Sequence, residues 1–138
     1  MNRREKNRAK TKESILMNDV TQAVQWMTSM YLTQKRNSEI MAIFKENISK
    51  LPETPKQTID DFERIFITFI HTIEVTHRIA MGVNENEIDP SKIYMDDAVY
   101  SILNKDENGE NKNLKYLIDK LIEKNVIILR KYEENVVS

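Results

Sequence analysis

The stretch Ile59–Met81, IDDFERIFITFIHTIEVTHRIAM, constrains this chain more than any other, because it fits two incompatible folds. Its centre, FITFIHTIEVTH, is crowded with β-branched residues, which favour strands. A strand would put Ile65, Ile67, Phe69, His71, Ile73 and Val75 on one side and Thr68, Ile70, Thr72, Glu74 and Thr76 on the other. A helix instead aligns Phe62, Phe66, Phe69, Ile73 and Ala80 as an apolar stripe, with Asp60, Arg64, His71, Glu74 and Arg78 opposite. The helix is the better reading. Its pattern runs well past the alternating part and is bracketed by signals: Thr58 with Asp61 three residues on resembles a capping box, and Gly82 is a stop. Ile67, Val75 and Ile79 fall off the stripe, so cover on more than one side is expected.

Scarcity of turn residues extends this reading to the whole chain. Two glycines and three prolines in 138 residues are too few for an all-β fold, which turns often. The length suits one domain with its own core. We expect an all-α, compact bundle of about five helices with short polar loops: a flexible basic arm over residues 1–12, then a single helical domain over 13–138. The first helix is expected over residues 13–34, with Leu16, Val20, Ala23, Val24, Met27, Met30 and Tyr31 on one face and Trp26 at its edge. KRNS then reads as a break, with Asn37 or Ser38 capping a second helix that carries Ile40, Ile43, Phe44, Ile48 and Leu51. LPETPKQ ends it, because proline blocks helix continuation. VNENEI reads as a loop; Asp89 and Pro90 read as the start of a fourth helix through Ile93, Met95, Val99, Tyr100, Ile102 and Leu103. The fifth is expected over residues 113–134. The first, third and fifth should form the core.

Charge is unevenly distributed. The net charge is −1, yet residues 1–12 carry Arg3, Arg4, Lys6, Arg8, Lys10 and Lys12 against Glu5 alone. The residues after them break any signal-peptide pattern, and no apolar run approaches the roughly 18 residues of a spanning helix, so no membrane association and a cytoplasmic or intracellular location are expected. The absence of cysteine removes disulfides, thiolate catalysis and cysteine metal sites.

The chemistry-bearing patterns are weak. His71, Glu74 and His77 form H-x-x-E-x-x-H, but the two histidines sit about 120° apart on a helix and no third histidine exists. We expect His71 to be solvated with Arg64 and Arg78, and His77 to border the core. NKDENGENKNLK resembles a calcium loop around Gly109, but Lys115 falls where a bidentate glutamate is needed. No phosphate-cradling glycine loop or nucleophile motif occurs. No enzymatic activity, cofactor or metal site is expected.

The most specific pattern lies in the expected fifth helix. Leu114, Ile118, Leu121, Asn125, Ile128 and Tyr132 are spaced as a heptad seam, with Asn125 at an a position where it could fix the register of a dimer. Tyr116, Val126 and Ile127 add apolar surface beside it. The leading expectation is a non-enzymatic regulator, adaptor or inhibitor that binds a protein partner through a helical surface, as a homo-oligomer. The interface would comprise Trp26, Tyr116, Leu121, Asn125, Val126, Ile127, Ile128 and Tyr132, with methionines nearby. The alternative is a nucleic-acid-binding protein using Arg3, Arg4, Lys6, Arg8, Lys10 and Lys12 with Arg64 and Arg78. A third reading is a sensory bundle holding an apolar ligand among Met27, Met30, Phe66 and Phe69. The lysine-, asparagine- and isoleucine-rich style fits an AT-rich genome, such as that of a virus or mobile element.

Overall fold

The computed structural model describes residues 3–81, 89–105 and 110–131, excepting the side chains of residues 3–11, 13, 81 and 110. Four α-helices and two short strands make up the described chain: α1 (Arg3–Asn47), α2 (Ile59–Met81), β1 (Ile93–Asp96), α3 (Asp97–Ile102), α4 (Glu110–Glu123) and β2 (Ile127–Arg130). The expected stops at Gly82 and in the 82–88 loop, the calcium-like stretch around Asp106 to Gly109, and Tyr132 lie outside the described residues.

α1 corrects two expectations. Residues 3–12 form its first turns, not a separate arm, and KRNS does not interrupt it. Neither glycine nor proline occurs before Pro52. Asn37 and Ser38 in a helix interior cost only about half a kcal/mol each relative to alanine. Burying Ile40, Ile43 and Phe44 on the same helix outweighs that, at roughly 1.5–3 kcal/mol per side chain. Thr21 and Thr28 donate their hydroxyls to the carbonyls of Met17 and Val24, one turn back, at 2.9 and 2.8 Å, so their polar groups are satisfied within the helix. A 3-10 turn over Ile48–Lys50 ends the rod just before the prolines.

α2 forms as expected. The Asp61 amide donates to the Thr58 hydroxyl at 3.2 Å, and the Phe62 amide to the Thr58 carbonyl at 2.9 Å, which fixes the first turn. Its buried face is Phe62, Phe66, Ile70, Ile73 and His77. Phe69 is only half-buried and Ala80 is exposed, so the stripe is rotated slightly from the one periodicity suggests. Ile67, Val75 and Ile79 remain exposed; the second cover expected for them does not come from the described residues. Phe44 of α1 stacks on both Phe66 and Phe62, with centroids 5.2 and 6.0 Å apart and planes within 26° of parallel.

The largest departure lies after residue 88. Asp89 does cap a turn: its carboxylate accepts from the Ser91 amide and hydroxyl, at 2.9 and 2.7 Å. The next element is β1, not a helix. Ile93, Tyr94 and Met95 are all buried, as suits a strand covered on both faces. Asp96 then caps α3 by accepting from the Ala98 amide at 3.1 Å. β1 and β2 pair in parallel, Ile93 opposite Ile127 through Asp96 opposite Arg130. A parallel pair needs a long crossover, and α3 with α4 provide it.

The expected fifth helix therefore stops at Glu123. Asn125 has φ 60, the Asn125 amide donates to the Ile122 carbonyl at 2.9 Å, and the Val126 amide donates to the Leu121 carbonyl at 2.9 Å. These are the two bonds of a Schellman cap, with Asn125 as its left-handed residue. Asn125 ends the helix instead of setting a dimer register, and the heptad seam through Ile128 does not form. Leu121, Val126 and Ile127 are core residues; Tyr116 and Ile128 are half-buried.

The core joins the last turns of α1 to α2, α4 and the strands: Phe44, Phe66, Met95, Leu117, Ile118 and Leu121 are almost fully enclosed. The buried Asn113 side chain accepts from the Glu53 amide at 3.0 Å and ties the proline-rich connection to α4. Asn125→Val should cost about 1–2 kcal/mol in chemical denaturation, since a β-branched residue tolerates φ 60 poorly, whereas Asn125→Gly should match or exceed the wild type. Equal loss in both variants would show that the left-handed turn is not what matters at this position.

Candidate interaction surface

α1 divides into two unlike halves. Its C-terminal part supplies Arg36, Ile40, Ile43, Phe44 and Asn47 to the interior. Every residue from 14 to 31, in contrast, is exposed, all around the helix. That stretch is not built like a solvated helix. It holds Ile15, Leu16, Met17, Val20, Val24, Trp26, Met27, Met30 and Tyr31 as large exposed apolar side chains, Trp26 at 65% and Met27 at 64% exposure. Asp19 is its one charged residue. Ordinary soluble surfaces are roughly 25–35% charged, and depletion of charge with enrichment of aromatics and methionine is the composition of an interface centre. Helical periodicity keeps much of this apolar area on one side, a stripe through Leu16, Val20, Ala23, Val24, Met27, Met30 and Tyr31.

The junction between the two halves is polar and buried. The Arg36 side chain, 8% exposed, pairs with Glu74 of α2 at 2.5 Å. The terminal nitrogen that makes this pair also donates to the Asn37 side-chain oxygen at 3.0 Å, Nε donates to that oxygen at 3.3 Å, and the other terminal nitrogen donates to the Lys92 carbonyl ahead of β1 at 3.5 Å. Burial lowers the Arg36 pKa; Glu74 acts in the opposite sense and Arg78 reinforces burial. The Lys92 ammonium donates in turn to the Asn125 carbonyl at 2.6 Å. One turn beyond Glu74, buried His77 stacks on Tyr94 with centroids 5.0 Å apart, and the Arg130 guanidinium lies 4.4 Å from the centre of the Tyr94 ring. Pleating explains that contact: Tyr94 pairs with Ile128, and Arg130, two residues on, shares its face. Burial, then Arg130, then Arg78 hold His77 below its usual pKa.

A cleft of about 310 Å³ opens beside the ion pair, lined by Arg36, Asn37, Ile40, Met41, Ile67, Ile70, His71 and Glu74. Its opposite charges satisfy each other, and its floor is apolar.

The residues singled out from sequence are thereby separated. Trp26 stands on the exposed half of α1, while Leu121, Val126 and Ile127 are enclosed by their own chain. Met27 and Met30 are exposed and Phe66 is in the core, so the ligand-holding group of Met27, Met30, Phe66 and Phe69 is not assembled. Of the histidine pattern, His71 is exposed, His77 is buried and Glu74 is engaged with Arg36. No group of three metal-ligating side chains forms among the described residues. Lys12, Arg64 and Arg78 are exposed; the side chains of Arg3, Arg4, Lys6, Arg8 and Lys10 lie outside the described set. Sequence reasoning misses Arg36, because it sits in KRNS, which has the composition of a break.

Glu74→Gln leaves Arg36 charged without its counter-ion and should cost about 3 kcal/mol, most of it recovered in an Arg36→Met/Glu74→Leu double variant; denaturation midpoints compare the three. His77 gives a pH signature. The unfolded chain takes a proton near pH 6.5, whereas the folded imidazole resists until lower pH. In that window the unfolded state binds more protons, so stability is lost as pH falls below 6.5. His77→Gln should flatten the part of the acid-side slope that lies in that window.

No helix among the described residues is long and apolar enough to cross a membrane. Compared with known proteins, the chain matches no family model, no curated protein and no solved structure.

Proposed function

We propose that this chain is a non-enzymatic interaction protein, an adaptor, regulator or inhibitor, that engages a protein partner through the exposed half of α1. The observation that carries this reading is the 14–31 stretch: helical, exposed on every side, carrying nine large apolar side chains that include Trp26, Tyr31 and three methionines, and bearing one charge. Exposing this much apolar area in a lone monomer invites non-specific association. Methionines add adaptability and Trp26 a large anchor. The interface moves accordingly from the segment after residue 113, where the heptad spacing suggested it, to α1.

Capture experiments with the full chain test this reading. The wild type should retain a protein partner whether or not the extract is treated with nuclease. Met27→Asp, at an exposed position that leaves the core intact, should lose it. Retention that disappears with nuclease and survives Met27→Asp would instead favour nucleic-acid binding through the basic first turns.

A further inference from the structure

We infer that Met17, Met27 and Met30 form a reversible oxidation site, through which peroxides convert the exposed half of α1 from an apolar surface to a more polar one. The consequence for partner binding rests on the reading of residues 14–31 as an interface; the chemistry at the three sulfurs does not.

Distribution is the first argument. The chain has seven methionines. Among the five whose side chains are described, Met17, Met27 and Met30 are exposed by 65, 64 and 41%, Met41 is half-buried, and Met95 lies in the core at 0% exposure. The exposed sulfurs are thus gathered on one stretch of one helix.

Competition is the second. Accessible thiolates are ready targets of peroxides, and this chain has no cysteine. Its thioethers are therefore the softest nucleophiles it presents to an oxidant.

The oxidation balances with peroxide as the only co-reactant. The sulfur lone pair attacks one peroxide oxygen; an S–O bond forms, the O–O bond breaks, and the second oxygen leaves as water. Sulfur loses two electrons and the peroxide gains them. The return step carries the sulfoxide oxygen off as water while a dithiol closes to a disulfide. Methionine sulfoxide reductases, one for each sulfoxide epimer, catalyse it with a dithiol from outside the chain.

Placement gives the change its effect. Helical spacing sets Met27 and Met30 on the stripe through Leu16, Val20 and Ala23, with Met17 beside its first residue. A sulfoxide is polar where the thioether is apolar, so oxidation interrupts the surface near both ends. The core is untouched, because residues 14–31 bury no side chain in it.

Dilute hydrogen peroxide applied to the full chain tests this. Peptide mass mapping should show Met17, Met27 and Met30 gaining oxygen at least about tenfold faster than Met95. The melting temperature should hold while retention on a butyl column falls, and the two reductases with a dithiol should restore retention. A Met17→Leu/Met27→Leu/Met30→Leu variant keeps the stripe apolar and close in volume, and its retention should survive the same treatment. Oxidation of Met95 at a matching rate overturns the site, as does full conversion of the three sulfurs without a fall in retention. An equal fall in the leucine variant overturns the assignment to these residues, and a fall that the reductases leave in place overturns reversibility. In the capture experiment above, oxidised wild type should lose a partner that the peroxide-treated leucine variant retains; equal retention by both overturns the link to binding. A wild type that retains no partner before oxidation defeats the interface reading and leaves the column result to decide the oxidation site.

Discussion

Phe44 stacked on Phe66 and Phe62 is the contact on which the rest of the architecture depends. It is the deepest point at which α1 enters the core, and it sets where α1 stops being part of the body. Aromatic rings bury large areas and prefer definite relative placements, so three of them fix a crossing better than aliphatic contacts do. With Phe44 held, Ile40 and Ile43 are carried into the core beside it, and the side-chain amide of Asn47 returns to the Ile43 carbonyl at 2.8 Å. The helix then continues away from this anchor as a rod, because nothing in its sequence breaks it. The exposed half of α1 is thus a consequence of where the anchoring side chains end.

A second layer of polar contacts fixes how the parts are arranged. Arg36 joins α1 to Glu74 on α2 and to the backbone before β1; Lys92 joins that segment to the turn after α4; His77, Tyr94 and Arg130 join α2 to both strands. A buried ion pair contributes little net stability, since desolvation offsets most of the attraction, but removing one partner is costly. Such pairs penalise misplacement more than they reward folding. Their positions at the joints among α1, α2 and the sheet are consistent with a role in alignment. On the far side, the Tyr100 hydroxyl donates to Asp119 at 2.6 Å and ties the end of α3 to α4; that bond pushes the Tyr100 pKa up to about 12.

The functional reading comes from contrast within a single helix. One half of α1 sets Arg36 and Phe44 in the interior, each against a partner; the other leaves nine large apolar side chains in water with one charged residue among them. The departure of this surface from the composition of the rest of the chain is what the proposed interface rests on.

Much of this is legible in the residues themselves. Helical dominance comes from the lack of turn residues; the start of α2 comes from its period and its cap; the capping role of Asp89, although of a turn and not of the helix expected there, and the inward place of His77 come from local chemistry. These features depend on neighbours in sequence, which is why sequence reports them. Sequence alone does not decide whether KRNS breaks a helix, whether Ile93 to Asp96 is strand or helix, or whether Asn125 continues a heptad or ends it. Short apolar runs fit either period, although the VIIL cluster after a left-handed-tolerant asparagine is a usable hint of a strand. Each of these is settled at a distance: Phe44 packs on α2, Ile93 pairs with Ile127, and the Schellman turn redirects the chain so that the pairing can occur. Local propensity differences are fractions of a kcal/mol, while the long-range burial they compete with is several, so tertiary structure has the deciding term.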